Sequence, residues 1–490
     1  MIMACAALAG LALFMGFYNL DGNLMNDDEG AYLYSAWRVG LGEVPYRDFF
    51  VSQTPLSLYF AAVVFKLFGP SVWGARALSY LFILGTAYLI SRASKKFFKF
   101  PAGLSCLAAA VFLFTKHIYF LGRTFMPDGA MLFFSTAALS FALESETDAP
   151  PQCQRRSVFL FGVFSGLAAL AKLNAVLLIG GYAFYLVFLI SRKVDNPRSI
   201  IKKALLAAAG FFLTFGLVYI LMLIFVHGTY RATLGFHLAK EKTAAASFAS
   251  LVLTRLIQFV GNHNYGLVLL AVSGMFSRPV FKDRKRSLLF FMALGALAQI
   301  FIPGTFYLRY AVFALVPLTF FLGDGVTGID SLKKAKYFIY PIAAALILLC
   351  LAPAFKPNKF LAYDRDTRAL AGYVRGNTAA GDYIFGDDPI INFLARRTCP
   401  PRLVDVSGAM TRSGQITAAD IRAECERYQV KLILVEKGPS AHHLKNLKDY
   451  SQFQAYLAQS YDFAGTMPRE FLMVDVYRRT DKTKEFGDRH

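Results

Sequence analysis

Three acidic residues stand side by side where the first apolar stretch of the chain ends. Asp27, Asp28 and Glu29 follow the apolar run from Ala4 to Leu20, and the next basic residue is Arg38. Carboxylates beside a membrane-length apolar run, with no partner nearby in sequence, are usually functional or fully solvated. Apolar surroundings should raise the proton affinity of Asp28, which suits a general base. We predict Asp28 as the base and Asp27 as a solvated charge. Glu29 is also a catalytic candidate, but because it is one residue further on a helix it points elsewhere, so we interpret it as a structural partner or as a residue that orients the catalytic group.

A second candidate catalytic acid lies about 100 residues further along the chain. Asp128 follows Pro127 in the stretch Arg-Thr-Phe-Met-Pro-Asp, where another apolar run begins. An acid at this position can serve the chemistry. It can also cap a helix, whose free N–H groups and dipole favour a negative charge. Both interpretations can hold together, and we predict that Asp128 meets Asp28 at one face of the molecule.

Three basic residues are candidates for binding a phosphate at the same face. Arg309 lies in Tyr-Leu-Arg-Tyr, where Tyr310 or Tyr307 could hold the membrane interface while the guanidinium takes a phosphate bidentately. Lys172 ends a Gly-rich apolar run, and Arg123 precedes Asp128. The alternative for Arg309 is an aromatic-belt anchor, and the alternative for Lys172 is a snorkelling lysine.

The amino-acid composition predicts that these residues belong to an integral membrane protein. The chain has 56% hydrophobic residues, 48 Phe and a mean hydropathy of +0.45. A span needs roughly 20 apolar residues. About eleven are predicted, near 3–20, 74–92, 102–116, 128–143, 157–173, 175–191, 204–226, 264–277, 287–303, 310–323 and 337–354. The first run lacks the basic start and cleavage site of a signal peptide, so we predict that it stays as the first span.

The distribution of Lys and Arg predicts the orientation. Short basic loops occur near residues 92–99, 192–203, 278–286 and 333–336, and they alternate with loops poorer in base. By the positive-inside rule the basic loops face the cytoplasm, which places Asp28, Asp128 and Arg309 on the outer side. The net charge of +20 is then a signal of topology and of attraction to anionic lipid headgroups, and nucleic-acid binding is not predicted.

A different kind of segment follows residue 354. Short strand-like stretches at 382–386, 431–436 and 471–477 alternate with helix-like patterns at 418–428 and 450–460. We therefore predict a transmembrane domain at 1–354, with a catalytic outer loop at 21–73, and an outer α/β domain at 355–490. Cys399 and Cys425 would lie in an oxidising compartment, where a disulfide and two free thiols are equally compatible with their spacing.

The histidines do not predict a metal site. His227, His237 and His263 are spaced too irregularly for a metal triad. Asp28 and Asp128 could instead hold a divalent cation between them, and the sequence leaves this open. Trp37 and Trp73 stand in the outer loop, where interfacial anchoring is the simpler role.

Three motifs resemble those of polytopic glycosyltransferases that use polyprenyl-phosphate sugars, such as protein O-mannosyltransferases and lipid A aminoarabinose transferases. They are Asp28-Glu29 with the downstream Pro-Tyr-Arg-Asp and Thr-Pro-Leu, the Arg-x-x-Met-Pro-Asp of 123–128, and the Tyr-Leu-Arg-Tyr of 307–310. The resemblance implies that the two acids converge on the reaction centre. The aminoarabinose-transferase branch often has Lys before the Pro that corresponds to Pro55, and this chain has Thr54.

The combined expectation is a membrane enzyme of the GT-C fold, a polytopic α-helical protein with a small outer α/β domain. The resemblance implies an inverting transfer of a sugar from a polyprenyl-phosphate carrier to a hydroxyl of a lipid, glycan or protein, at the outer face of a bacterial inner membrane. The rival class is a transporter or lipid flippase. Transporters more often show inverted repeats and charges near the membrane midplane, whereas here the acids cluster at one face.

Overall fold

The computed structural model describes residues 2–22, 27–236, 248–261, 264–302, 308–330, 341, 344–345, 347–348, 364–438, 443–469 and 472–480. Up to residue 330 the described chain is helical, and from residue 364 a small mixed sheet is combined with short helices. The side chains of Asp27 and Tyr310, and all of Tyr307, His237 and His263, lie outside these ranges.

Fifteen helices are described in the first part of the chain. They are α1 Ile2–Phe17, α2 Asp27–Gly40, α3 Leu56–Phe68, α4 Val72–Phe97, α5 Ala102–Phe114, α6 Lys116–Gly122, α7 Pro127–Ser145, α8 Pro151–Ala171, α9 Leu177–Ser191, α10 Pro197–Phe211, α11 Leu217–Phe225, α12 Phe248–Gly261, α13 Tyr265–Ser277, α14 Arg284–Leu297 and α15 Leu315–Asp330. A π-helical turn, Phe212–Gly216, joins α10 to α11, and 3₁₀ turns at Leu173–Val176 and Leu308–Ala314 lead into α9 and α15.

The predicted spans coincide with helices wherever the structure describes them. Four helical stretches are long and apolar enough to cross a membrane: Val72–Phe97, Leu173–Ser191, Pro197–Phe225 and Ala311–Ile329. The pair α5 and α6, bent by 71° at its break, makes a fifth if it is one span. Several others are shorter than the roughly 20 residues a span needs, and the run at 337–354 falls almost wholly outside the described residues. The number eleven therefore stays a prediction.

The predicted outer loop contains two helices that sequence patterning did not reveal. α2 starts with acidic residues, which favour a helix N-terminus. α3 ends at Gly69, whose φ of +80° is a conformation that glycine adopts without strain. Together α2 and α3 pack as a platform under the second part of the chain.

The second part contains a four-stranded sheet with the order β1-β2-β4-β3. Its elements are α16 Arg365–Gly376, β1 Ile384–Gly386, α17 Ile390–Ala395, α18 Gly408–Ser413, α19 Ala418–Arg427, β2 Leu432–Lys437, α20 Tyr450–Ser460, β3 Tyr461–Arg469 and β4 Leu472–Arg479. β1 pairs parallel to β2, and the other pairs are antiparallel. Three strands and two helices match the predicted patterns, whereas β3 was not predicted. Cys399 and Cys425 are both buried free thiols.

The second part of the chain, whose described residues lie between 364 and 480 and which we call the sheet domain, contacts α2 directly. The Cys399 N–H donates to the Tyr34 hydroxyl at 2.8 Å. At Gly30 a Cβ atom would lie only 2.1 Å from Oδ1 of Asp388, so the backbones approach as closely as glycine allows. Asp388 is itself held by the buried Arg469. This chain of contacts fixes the first turn of α2, and with it the position of Asp28.

Candidate active site

Asp28 lies in the first turn of α2 and forms an ion pair with Arg309 from the 3₁₀ turn Leu308–Ala314. Its Oδ2 lies 2.6 Å from Nη2 of Arg309. The Asp28 side chain is 42% exposed and that of Arg309 is 22% exposed, so the pair is reachable from solvent. Two residues 281 positions apart in sequence are thus brought into contact by the fold.

The pKa of Asp28 is shifted in the direction opposite to the one that the sequence predicts. Burial raises the pKa of its carboxyl, but the charge of Arg309, its hydrogen bond, and the charges of Lys172 and His443 outweigh burial. The net effect holds the pKa of Asp28 below its ordinary value. The expectation of a raised proton affinity was therefore wrong, because it counted the apolar surroundings and not the cations that the fold brings in.

A second ion pair lies deeper, between the start of α7 and the end of α8. Oδ1 of Asp128 lies 2.6 Å from Nζ of Lys172, with side-chain exposures of 0% and 5%. Pro127 occupies the first turn of α7, where its missing N–H costs nothing. Asp128 is not the N-cap residue, which is Met126. Lys172 is buried against a carboxylate, so the snorkelling interpretation was wrong.

One oxygen of Asp128 has no hydrogen-bond partner within the described part of the chain. This oxygen, Oδ2, is buried. Buried polar atoms are nearly always hydrogen-bonded, and exceptions often mark functional positions. The atom is therefore available to a group that enters the site.

The two ion pairs are close enough to influence one another. The charges of Lys172 and Arg309 both act on Asp28, and the charges of Asp28, Arg309 and Asp128 all act on Tyr32. Tyr32, one turn after Asp28 on α2, is buried, and burial with the negative charge of Asp28 raises the pKa of its phenol well above the ordinary value. Its hydroxyl therefore stays protonated and can donate a hydrogen bond.

A narrow cleft opens above Asp28, between α2 and the sheet domain. From the first part of the chain it is lined by Asp28, Ala31, Tyr32, Ser35, Phe50, Val51 and Ser52, and from the sheet domain by Asp387, Pro389, Val404, Asp405, Val406, Ser407 and His443. The Nδ1 atom of His443 lies 3.0 Å from the carbonyl oxygen of Asp387. Sequence reasoning missed the contribution of the sheet domain, because no local motif marks these residues.

A family model described as dolichyl-phosphate-mannose-protein mannosyltransferase matches residues 52–219. The crystal structure of ArnT from Cupriavidus metallidurans bound to undecaprenyl phosphate superposes with a TM-score of 0.68 at 14% identity, covering 96% of this chain and 97% of that one. The apo state of ArnT gives 0.65 at 14% identity, with 97% of each chain covered.

A more distant structure agrees with these. AglB, the oligosaccharyltransferase of Archaeoglobus fulgidus, in complex with an inhibitory peptide and dolichol-phosphate, gives a TM-score of 0.54 at 12% identity, covering 88% of this chain and 69% of that one. A search of curated protein sequences found no match. The chain has the GT-C glycosyltransferase fold. The predicted resemblance to this class of membrane glycosyltransferases is thus confirmed at the level of fold.

Within the GT-C fold, Glu29 faces away from the cleft. Its carboxylate accepts two hydrogen bonds from Arg76, at 2.7 and 2.6 Å, and one from the Phe125 N–H at 2.6 Å. Glu29 and Arg76 are both buried. Glu29 thus ties α2 to α4 and to the approach to α7, which is the structural role that the sequence interpretation gave it, and it does not line the cleft beside Asp28.

Arg123 is likewise engaged elsewhere. Its guanidinium donates to four backbone carbonyls, those of Met15, Gly16, Tyr18 and Asn19, at and after the C-terminal end of α1. Such an end carries free carbonyls that a buried cation satisfies. The structure therefore places Arg123 in a helix cap and not among the residues that could hold a phosphate.

The remaining candidates are Tyr310 and the two tryptophans, Trp37 and Trp73. Tyr310 follows Arg309 in the 3₁₀ turn, but its side chain lies outside the described residues. Trp37 packs against Phe393 of the sheet domain, with ring centroids 6.5 Å apart. Trp73 is 49% exposed. Neither tryptophan lines the cleft above Asp28.

Asp28 and Asp128 do not form a metal cluster with other ligands. Among the described residues, no group of three His, Cys, Asp or Glu side chains could hold a metal ion. Each of the two acids already has a cationic partner, Arg309 or Lys172. A divalent cation bound here would have to displace or face both positive charges, so these acids fit a metal poorly.

Proposed function

We propose that this protein is an inverting glycosyltransferase that moves a sugar from a polyprenyl-phosphate carrier to a hydroxyl acceptor. The observation that carries the proposal is the Asp28–Arg309 pair at the mouth of a cleft, with Lys172 and Asp128 behind it, in a GT-C fold. This arrangement offers one carboxylate and two cations at a single point, which is what the reaction requires.

The cations are matched to the leaving group. As the bond between the anomeric carbon and the phosphate oxygen breaks, its electron pair stays with the oxygen and polyprenyl phosphate gains negative charge. Preorganised cations in a partly dry site stabilise such developing charge strongly. We assign this role to Arg309 and Lys172. The Tyr32 hydroxyl, which stays protonated, is suited to donate a further hydrogen bond.

Asp28 is the proposed base. It takes the proton of the acceptor hydroxyl while the hydroxyl oxygen forms a bond to the anomeric carbon. In the free protein the cations keep the pKa of Asp28 low, which makes it a weak base. A donor phosphate that engages Arg309 adds negative charge beside Asp28 and draws the guanidinium away. Both effects raise the proton affinity of Asp28, so donor binding prepares the base.

Asp128 is the proposed positioning residue. It holds the Lys172 ammonium through Oδ1 and leaves Oδ2 without a partner among the described residues. That oxygen can accept a hydrogen bond from a hydroxyl of the sugar or the acceptor. The cleft, which the sheet domain closes from above, is the proposed entrance for a lipid, glycan or protein acceptor.

The proposed setting follows from the Lys and Arg distribution. The enzyme would cross a bacterial inner membrane about eleven times, with the loop at 21–73 and the α/β domain at 355–490 in the periplasm. A transporter or flippase would require charges near the middle of the membrane. Here the two site ion pairs lie at helix ends, Asp128 in the first turn of α7 and Lys172 directly after α8.

Direct assay tests the proposal. Purified full-length protein is incubated with a panel of radiolabelled polyprenyl-phosphate sugars and membrane extract, and labelled product is separated from donor. We expect transfer from at least one donor, with a changed anomeric configuration. Movement of intact labelled carrier across a vesicle membrane, without sugar transfer from any donor, would favour the flippase alternative.

A further inference from the structure

A second site lies at the opposite end of the helix bundle from Asp28. Helix α4 carries Arg76 beside Glu29 near its start and Lys96 near its end. Twenty residues of helix separate these two positions, which is a distance of about 30 Å and about the thickness of a bilayer core. The site at the far end is thus a separate feature, and it does not depend on the proposed transferase function.

This site is a groove between α4, α7 and α8, which we call the basic groove. It has a volume of about 510 Å³, with Arg92, Lys96 and Arg156 at one end and Phe133, Phe141 and Phe164 along its wall. The charged residues gather at the end of the bundle. The wall that runs toward the middle of the membrane is apolar.

The charged end of the basic groove has an excess of positive charge. Lys96 forms an ion pair with Glu144. Arg92 and Arg156 are exposed, and within the described part of the chain neither has an acidic ion-pair partner. Three cations against one acid leave the lining with a charge of about two, which is complementary to a phosphate group.

The apolar part has the dimensions of an acyl chain in one leaflet. From Glu144 to Phe133 the groove follows α7 for eleven residues, or about 16 Å, which is roughly half of a ~30 Å bilayer core. Phe141 and Phe164 form one wall, with ring centroids 5.2 Å apart. Ala93 and Ala137 are buried alanines whose small side chains leave the floor open.

We propose that the basic groove binds one anionic phospholipid of the membrane, with its phosphate between Arg92 and Arg156 and an acyl chain along Phe133, Phe141 and Phe164. Basic pockets between membrane helices on the cytoplasmic side recognise anionic headgroups in this way. The length and polarity of the groove select a lipid. A soluble anion would leave the apolar wall uncovered.

Native mass spectrometry tests this directly. Delipidated full-length protein in detergent is titrated with equal amounts of phosphatidylglycerol and phosphatidylcholine of the same chain length. We expect one phosphatidylglycerol to be retained preferentially. The double variant R92Q/R156Q should lose affinity for it by roughly 30-fold, since each basic residue near the surface contributes on the order of five-fold. The control K95Q/K99Q removes the same charge from neighbouring exposed lysines outside the groove.

Location is measured separately with Phe141→Trp in a Trp37→Phe/Trp73→Phe background, so that the introduced side chain is the only tryptophan. Its fluorescence should be quenched more strongly by brominated phosphatidylglycerol than by brominated phosphatidylcholine, and R92Q/R156Q should abolish the difference. The proposal is overturned by equal retention of both lipids in the wild type, by an unchanged preference in R92Q/R156Q, by an equal loss in K95Q/K99Q, or by equal quenching by both lipids. Soluble glycerol phosphate competing as well as the lipid would show that the apolar wall has no role.

Discussion

At the scale of single residues, the candidate site is a set of opposite charges that balance one another. Asp28 and Arg309 neutralise each other in reach of solvent, and Asp128 and Lys172 do so in the interior. A charged pair of this kind is a poor base and a masked phosphate site when empty. In the mechanism we propose, a donor phosphate that engages Arg309 changes both properties at once.

The first prediction concerns Arg309. Arg309→Ala should weaken donor binding by about 1.5–3 kcal/mol, the range for a hydrogen bond to a charged group, and Arg309→Lys should restore only part of it because the bidentate fork is lost. Titration with labelled donor measures this. Arg402→Ala removes an exposed arginine of the sheet domain and serves as the control. Unchanged donor affinity in both Arg309 variants would leave Arg309 without a role in donor binding.

The pH dependence of turnover gives a second prediction. Because the folded pKa of Asp28 lies below its ordinary value, the free protein keeps the carboxylate above about pH 5, and activity should fall only at lower pH. Arg309→Gln removes the main lowering influence and leaves burial, so the acidic limb of the kcat/KM profile should move to higher pH. An acidic limb at the same pH in both proteins would show that it does not report Asp28.

At the scale of elements, the position of Asp28 depends on how α2 is fixed at both sides. The Glu29–Arg76 ion pair ties it to α4, and Gly30 lets it approach Asp388 of the sheet domain. Three consecutive residues therefore have different roles: Glu29 anchors α2, Gly30 allows close packing, and Asp28 is the proposed catalytic base.

A third prediction follows from that packing. Gly30→Ala should lower turnover by at least about tenfold, because a Cβ would lie 2.1 Å from Oδ1 of Asp388 and small misplacements of catalytic groups reduce rate strongly. The same change at Gly372, which has open space around it, is the control. Initial rates with saturating donor measure the effect. If the two variants turn over equally, α2 does not need this close approach.

The elements also show what sequence patterns could reveal. Long apolar runs predicted the helices between 72 and 330, because period and composition are local properties. The pairing of Asp28 with Arg309 was not predicted, since it joins residues far apart in sequence, and neither was the role of Arg123 as a helix cap. A motif can predict that a charged residue has a role. The contacts of that residue in the folded protein show whether the role is structural or lies in the candidate site.

At the scale of the whole molecule, both parts of the chain line the cleft above Asp28, and the orientation in the membrane decides which side this cleft faces. The Lys and Arg distribution predicts that the loops at 92–99 and 192–203 are cytoplasmic. Alkaline phosphatase fused after Tyr363 should then be active, and the same reporter fused after Lys99 should be inactive. The reverse result would place Asp28 and its cleft on the cytoplasmic side.

A separate prediction concerns metal ions. Because Asp28 and Asp128 are each neutralised by a side chain, EDTA should leave the rate of sugar transfer by the wild type unchanged. The rate is measured with and without chelator, with excess Mg²⁺ or Mn²⁺ restored as the control. Loss of transfer in EDTA and recovery on adding a divalent cation would instead make Asp128, and Asp28 with it, candidate ligands.

The central claim, that Asp28 takes a proton from the acceptor during sugar transfer, is tested most directly by the turnover of Asp28→Asn with the identified donor. The account predicts a fall of about 10²–10⁴-fold, the usual contribution of general-base catalysis, in a protein that remains folded. Asp21→Asn, a like change in an exposed acid of the same loop, should transfer sugar normally. Turnover near that of the wild type in well-folded Asp28→Asn would contradict the claim.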